Sequence, residues 1–293
     1  MFVSRSIRSA KLSTVNAKIG LVLHGADDAA LIEARRLSTL FSEKGHEVVA
    51  VIDDAGEIPD VTAVHKDSFA DGLELAISLG GDGTMLRTVA LLGDSGVKIL
   101  GVNFGDLGFL TVVDPHELDE AVERSLSGDH DIEERMLVSA TANGQTFHAL
   151  NEIVVERSPG ETTIRIGVTV DGSPFTSYPA DGLIVATPTG STAYALSARG
   201  PIVFPTHSAI QLTPVSPHML FDRSLILRPE SVVELTVEGH RPAVVSQDGN
   251  TVMTMQPGET ITCRRSERVA HLVTFDTRDN LSVLKSKLGI ADR

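Results

Sequence analysis

Residues 80 to 84 combine three glycines with one acid. The string Gly80-Gly81-Asp82-Gly83-Thr84 follows a buried strand predicted from Leu73 to Leu79 and precedes a helical segment from Met85 to Leu92. Glycines before a helix let the backbone approach a phosphate closely and point its N–H groups at the anion. Asp82 would repel that phosphate unless a metal ion or a hydroxyl proton lies against it. The loop therefore predicts phosphoryl transfer. The structural alternative is a tight turn in which Asp82 caps the helix.

The loop differs from a Walker P-loop, because no lysine follows its glycines. We expect the glycines, the threonine and an arginine further along the helical segment to bind the phosphates of the donor. These residues are Gly80, Gly81, Gly83, Thr84 and Arg87.

A predicted strand with a carboxylate at one end and hydroxyls at the other lies between Asp181 and Tyr194. Its sequence is DGLIVATPTGSTAY. The stretch from Thr187 to Ala193 carries four hydroxyls, one proline and one glycine, a composition that cannot form a core. These residues offer small hydrogen-bond donors and open backbone beside a flat ligand. Alternatively, they cap a helix that begins within Ala195 to Arg199.

The pair Asn151-Glu152 ends a short apolar run from Phe147 to Leu150. An asparagine amide can pair with the N6/N7 edge of adenine, and a neighbouring carboxylate can accept hydrogen bonds from a ribose diol. Taken alone, the pair also fits an ordinary turn.

In the order of the chain, the three motifs are GGDGT, then Asn151-Glu152, then DGLIVATPTGSTAY, and this order and spacing resemble the NAD kinase family. The resemblance covers roughly residues 78 to 229, and GGDGT alone is shared with phosphofructokinases and diacylglycerol kinases. Three further segments support it: Asn103 to Leu110, Glu134-Arg135, and Ser216-Pro217-His218. Two positions depart from the family pattern: Arg199 stands where the family usually has glycine, and Ser224 where proline is frequent.

The resemblance implies roles for individual residues. Asp82 would lie against the reacting 2′-hydroxyl of NAD, Asn151 would hold adenine, and Glu152 would bind the adenosine ribose. Thr192 and Ala193 would line the adenine and nicotinamide pockets. The remaining residues expected to bind NAD are Gly83, Phe109 as an apolar wall, Asp181 and Ser197 at the nicotinamide end, Thr189 and Tyr194.

Hydrophobic periodicity predicts two domains. Before about residue 135, apolar runs alternate with helical spacing, as in the strand from Ile19 to Leu23, which typifies an α/β domain with a parallel sheet. After it, alternating runs such as Ile164 to Val170 are followed by turns such as Asp171-Gly172, which indicates an all-β domain. The predicted boundaries are a flexible tail over 1–17, an α/β domain over 18–134, a β-rich NAD-binding domain over 135–274, and a segment over 275–293 that returns to the first domain.

Composition narrows the classes of partner. The formal net charge of −14 argues against nucleic acids and anionic membranes. Cys263 is the only cysteine, so no disulfide forms within the chain, which suits the cytoplasm. The sequence lacks an apolar run of the roughly 18 residues that a membrane span needs. The first residues lack the apolar core of a secretory signal, and a short transit peptide is the alternative to a tail.

The resemblance implies a Rossmann-like domain and a β-sandwich-like domain with the active site in the cleft between them. The expected reaction transfers the terminal phosphoryl group of ATP or polyphosphate to the 2′-hydroxyl of NAD's adenosine ribose. Mg²⁺ would be held mostly by substrate oxygens and water. Family members are commonly homo-oligomers, so we expect a homodimer or homotetramer. The alternatives are a lipid or sugar kinase that shares GGDGT and a catalytically silent NAD-binding module.

Overall fold

The structure is a computed structural model that describes residues 16–23, 28–105, 108–275, 280–287 and 289. The chain divides into two compact units, one formed by Met1–Glu134 with Ala270–Arg293 and the other by Arg135–Val269. Most of the expected tail over 1–17 lies outside the described residues. The sequence had placed the second boundary after residue 274.

The first unit is a parallel sheet with helices. Its strands are β1 (Lys18–Leu23), β2 (Glu47–Val51), β3 (Thr62–Val64), β4 (Leu75–Gly80) and β5 (Lys98–Asn103). The helices of this unit before residue 135 are α1 (Asp28–Glu43), α2 (Ile52–Ala55), α3 (Asp82–Leu92) and α4 (Leu118–Ser127). The strands pair in parallel in the order β5-β4-β1-β2-β3. Every residue of β4 is buried, as the apolar run predicted.

The helices of this unit begin and end where local signals place them. Helix α1 buries Ala34, Leu37 and Phe41 on one face. A capping box of Asp114 and Glu117, in a short 3₁₀ turn, precedes α4. The positive φ of 80° at Gly128, which follows α4, suits glycine because it has no Cβ.

The second unit consists of two antiparallel sheets. Its strands are β6 (Asp131–Ala142), β7 (Gln145–Ala149), β8 (Glu152–Arg157), β9 (Ile164–Val170), β10 (Ser173–Ala180), β11 (Gly182–Ala186), β12 (Ile210–Val215), β13 (Leu225–Leu227), β14 (Val233–Glu238), β15 (Ala243–Gln247), β16 (Asn250–Met255) and β17 (Thr260–Thr274). The first residues of β6, up to Glu134, and the last residues of β17, from Ala270, belong to the first unit. One sheet has the order β10-β9-β14-β17, with β6 pairing with β17 and β7, and the other has the order β13-β12-β11-β8-β15-β16. Residues of both sheets, such as Ile166 and Val185, share one core. A sandwich-like all-β fold is thereby confirmed.

Three details complete the fold. Strand β17 runs without a break from Thr260 to Thr274, although its middle is polar, because its backbone pairs with β14 near its start and with β5 near its end. Cys263 is fully buried in β17. Helix α6 (Asn280–Lys287) belongs to the first unit. No helix in the described part of the chain has both the length and the apolar character to cross a membrane.

Candidate active site

The glycine-rich loop joins β4 to α3 in the first unit. Gly80 ends the strand, Gly81 is the N-cap, and Asp82 is the first residue of the helix. The helix therefore begins before the predicted Met85, and an acid in its first turn interacts favourably with the helix dipole. A Cβ on Gly80 would lie 2.2 Å from Thr84 Oγ1, so a side chain there would collide with the helix it precedes.

The Asp82 carboxylate accepts two backbone hydrogen bonds from outside its own helix. The N–H of Phe109 donates to Oδ2 at 3.0 Å, and the N–H of Leu110 donates to Oδ1 at 2.9 Å. The predicted alternative, in which Asp82 caps α3, is wrong, because Gly81 is the N-cap and no side chain caps the helix. The carboxylate is instead held in one orientation beside the loop.

Gly108 makes this arrangement sterically feasible. A Cβ at this position would lie 2.4 Å from Asp82 Oδ1 and 2.6 Å from Thr111 Oγ1. Sequence reasoning flagged the surrounding segment only through the family resemblance. Phe109, the predicted apolar wall, is half-buried, and the Lys287 ammonium lies 5.6 Å from the centre of its ring.

The structure describes the surroundings of two predicted phosphate ligands, Thr84 and Arg87. The Thr84 hydroxyl is buried and faces Gly80. The Arg87 guanidinium forms a bidentate ion pair with Asp54 at 2.8 and 2.9 Å and also donates to the Leu23 carbonyl at 2.8 Å. Since an arginine has five N–H donors, these contacts use most of its donor capacity, and phosphate binding by Arg87 stays a prediction. Gly81 and Gly83 have open space around their α-carbons, as a phosphate-binding backbone needs.

In the second unit, Asn151 and Glu152 lie at the turn from β7 to β8. Three consecutive backbone N–H groups of this turn, those of Leu150, Asn151 and Glu152, donate to the carboxylate of Asp248. Sequence analysis missed Asp248, because Asp248-Gly249 has the form of an ordinary hairpin turn between β15 and β16.

The hydroxyl-rich turn after β11 packs against the same residues. The Thr187 N–H donates to the Asn151 carbonyl at 2.9 Å. A Cβ on Gly190 would lie 2.1 Å from that carbonyl oxygen, so only glycine permits this approach. The structure thus brings the predicted adenosine-binding pair and the TPTGSTAY turn together within one unit.

Glu152 is an unusual acid. Its side chain is 5% exposed, and burial raises its pKa to about 8, with a further contribution from the negative charge of Asp248. A hydrogen bond from the Tyr194 backbone N–H lowers the pKa by a smaller amount. Its Oε2 atom is buried and has no hydrogen-bond partner among the described residues. A ligand hydroxyl would supply the missing partner.

Asp181 and Ser197 are the residues predicted at the nicotinamide end. Asp181 Oδ1 accepts a hydrogen bond from Arg157 Nε at 2.9 Å, so this carboxylate already carries a counter-ion. Ser197 is exposed at the end of helix α5 (Tyr194–Ser197). Burial raises the pKa of the Tyr194 hydroxyl, and the nearby charge of Glu156 raises it further.

The 3₁₀ turn Thr189–Thr192 leads directly into this helix through Ala193. The Thr192 hydroxyl donates to the Thr189 carbonyl at 3.1 Å. The Thr189 hydroxyl in turn accepts a hydrogen bond from Arg135 at 3.2 Å. Arg135 is only 2% exposed, so it supports this turn from within the unit and offers little surface to a ligand.

A protein-built metal cage is not found beside the glycine-rich loop in the part of the chain that the structure describes. The group of metal-ligating side chains that is found, Asp114, His116 and Glu117, is exposed and coincides with the capping box before α4. Asp82, with two N–H donors already bound, is the acid that the loop offers to a cation. This donor set fits a Mg²⁺ ion that is carried mainly by the substrate phosphates.

Comparison with known proteins gives a consistent answer for both units. Residues 19–130 match the ATP-NAD kinase N-terminal domain, and residues 150–275 match the ATP-NAD kinase C-terminal domain. The NAD kinase of Heliobacterium modesticaldum is 37% identical over 276 residues, which cover 92% of this chain and 98% of that protein. A solved NAD kinase from Archaeoglobus fulgidus, in complex with ATP, superposes with a TM-score of 0.72 at 25% identity, covering 94% of this chain and 100% of that one. Yeast NADH kinase complexed with NADH shares the fold, with a TM-score of 0.87 at 24% identity over 96% of this chain and 89% of that one. The chain belongs to the NAD kinase family.

Proposed function

We propose that the chain transfers the terminal phosphoryl group of ATP to the 2′-hydroxyl of the adenosine ribose of NAD, with Asp82 as the residue that holds this hydroxyl. The observation that carries the proposal is the pair of N–H bonds from Phe109 and Leu110, which fix the Asp82 carboxylate at the end of a glycine-rich loop. An ionised carboxylate has about four lone-pair sites, so acceptor capacity is left for the hydroxyl.

A carboxylate is too weak a base to ionise a ribose hydroxyl before the reaction starts. Phosphoryl transfer does not require this, because the transition state is loose and the nucleophile needs little activation. Asp82 therefore orients the hydroxyl towards the phosphorus and accepts its proton late. The exposed backbone of Gly81 and Gly83 lies at the start of α3, where N–H groups can receive the donor's phosphates.

In the second unit, Asn151 pairs with adenine, and Glu152 forms hydrogen bonds with the ribose hydroxyls. The buried Oε2 atom of Glu152, which lacks a partner among the described residues, supports this role because a ribose hydroxyl can donate to it. Thr192 and Ala193 line the adenine and nicotinamide pockets, and Asp181 and Ser197 bind the nicotinamide end of NAD. Arg157 holds the Asp181 carboxylate in place for that contact.

ATP is the proposed donor, because the Archaeoglobus fulgidus relative is described in complex with ATP. Mg²⁺, when bound, neutralises the triphosphate and is held by its oxygens and by water, with Asp82 as the available protein ligand. A lipid or sugar kinase would not match both NAD kinase domains. Assembly as a homodimer or homotetramer and a cytoplasmic location remain predictions, and sedimentation of the purified chain tests the first of them.

The test is NADP formation by the purified chain from NAD, ATP and Mg²⁺. We expect Asp82→Asn to lower kcat by ~10²–10⁴ with little change in NAD affinity, the usual effect of removing a positioned general base. Asp94→Asn is the matched control, because Asp94 is exposed just beyond the other end of the same helix. Undiminished turnover in a folded Asp82→Asn variant would remove Asp82 from the mechanism.

A further inference from the structure

The turn that carries Asn151 and Glu152 is held by one carboxylate. Asp248 Oδ2 accepts a hydrogen bond from the Leu150 N–H at 2.9 Å, and Oδ1 accepts from the N–H groups of Asn151 at 2.8 Å and Glu152 at 3.1 Å. The backbone N–H of Asp248 completes the set by donating to the Glu152 carbonyl at 3.1 Å. Four hydrogen bonds thus join a single residue to three consecutive residues.

The position of Asp248 follows from strand pairing. The β15–β16 hairpin turns at Asp248-Gly249, where φ is 45° and 80°. Strand β15 pairs with β8 so that Gln247 lies opposite Ile153, which sets the next residue beside the start of β8. The opposite side of the turn is held by Thr187, whose N–H donates to the Asn151 carbonyl.

The turn geometry alone does not explain an acid at this position. Asparagine adopts positive φ as readily as aspartate, so the hairpin would accept a neutral residue. The negative charge of Asp248 also raises the pKa of the buried Glu152, which is an electrostatic cost to the folded protein. What the carboxylate provides, and a carboxamide does not, is two acceptor atoms that receive three N–H groups at once.

We propose that Asp248 is a positioning residue for NAD recognition. It fixes the backbone from which the Asn151 and Glu152 side chains project towards adenosine, and it does so without contacting NAD itself. This inference rests on the proposed function, because it assigns a supporting residue to the same NAD site.

The test is a comparison of Asp248→Asn with a matched control, Asp171→Asn. Asp171 is also the first residue of an Asp-Gly hairpin turn, has φ of 50°, and accepts a backbone N–H from Val232 at 2.8 Å. It lies at the β9–β10 turn, away from the residues assigned to NAD. We expect Asp248→Asn to raise KM for NAD about tenfold, the effect of losing a hydrogen bond to a charged group, with KM for ATP changed less than about twofold. Asp171→Asn should change neither KM.

A pH profile supplies a second readout, which a general loss of stability would not move. In the parent chain, KM for NAD should change as Glu152 titrates near pH 8. Because Asp248→Asn removes the neighbouring negative charge, the pKa of Glu152 falls and this change moves to lower pH. In Asp171→Asn the profile should stay where it is.

The outcomes separate the two claims. A parent chain that forms no NADP removes the proposed function and this inference with it. A parent chain that forms NADP, combined with an Asp248→Asn variant whose KM for NAD and pH profile are unchanged, removes the inference alone. If Asp248→Asn does not fold, hydrogen exchange on the parent chain decides. Slow exchange at the amides of Leu150, Asn151 and Glu152 without NAD supports the positioning role of Asp248, and exchange at the rate of an open loop overturns it.

Discussion

Replacing Glu152 with glutamine should make the chain more stable at alkaline pH. Glu152 is nearly fully buried, and its pKa rises from an ordinary 4.5 to about 8, mainly through burial and then through the charge of Asp248. The folded protein therefore holds a proton on Glu152 at pH values where the unfolded chain has released it. Glutamine has the same shape and carries no charge, so it removes this titration.

The sign and size follow from linkage. Because the folded pKa is higher than the unfolded one, the folded state binds more protons between pH 4.5 and about 8. The free energy of unfolding of the parent chain therefore falls as pH rises through this range, and the full loss is reached above pH 8. A change of one pH unit corresponds to about 1.4 kcal/mol of unfolding free energy, so the range from pH 4.5 to about 8 corresponds to roughly 5 kcal/mol. That is a large share of the stability of an ordinary domain.

The measurement is urea unfolding of the parent chain and of Glu152→Gln at about pH 5 and about pH 9. The two proteins should be close in stability at the lower pH, and the variant should be more stable by several kcal/mol at the higher one. Glu230→Gln is the control, since Glu230 is an exposed glutamate of the same unit. A parent chain whose stability does not fall with rising pH, relative to the variant, would show that Glu152 is ionised in the folded protein and refute the reasoning.

Two further substitutions test the remaining contacts. Gly108→Ala places a Cβ 2.4 Å from Asp82 Oδ1, so the Phe109 amide should be displaced from the Asp82 carboxylate. We expect kcat to fall ~10-fold or more, with NAD affinity nearly unchanged. A normal kcat would mean that the hydrogen bond from this amide does not contribute to turnover. If Asp181 accepts a hydrogen bond from the nicotinamide carboxamide, nicotinic acid adenine dinucleotide should be disfavoured by ~10²-fold in kcat/KM, and Asp181→Asn should narrow the gap. An unchanged ratio of the two dinucleotides in the folded variant would exclude that contact.

Local signals in the sequence were sufficient for much of the fold. The apolar run from Ile19 to Leu23 lies within β1, and the Asp171-Gly172 turn joins β9 to β10. The capping box at Asp114 and Glu117 precedes α4. Each of these signals depends on residues that are close in the chain, where periodicity, capping and turn chemistry act directly.

The hydrogen-bond and ion-pair partners of the charged side chains could not be predicted from local sequence signals. Asp248 accepts a hydrogen bond from the Asn151 backbone, 97 residues away in the sequence, and the pair Asp248-Gly249 has the sequence of an ordinary hairpin turn. Arg87 was expected at a phosphate, yet Asp54, 33 residues away, takes its guanidinium. Such pairs are decided by strand order and register, and a single sequence does not state which of several acids an arginine will meet.

The acids named in the proposals divide into two kinds according to the hydrogen bonds that they receive. Asp82 receives two backbone N–H groups and Asp248 receives three, so their orientation is set by the fold before a substrate arrives. Glu152 is different, because one of its oxygens is buried and has no partner among the described residues. A fixed acid can align a reacting hydroxyl without reorganisation at the moment of transfer. An acid with an unfilled acceptor gains a hydrogen bond only when its ligand binds. Asp82 therefore suits the chemical step, Asp248 the support of the turn, and Glu152 the selection of a molecule that brings a hydroxyl to that buried oxygen.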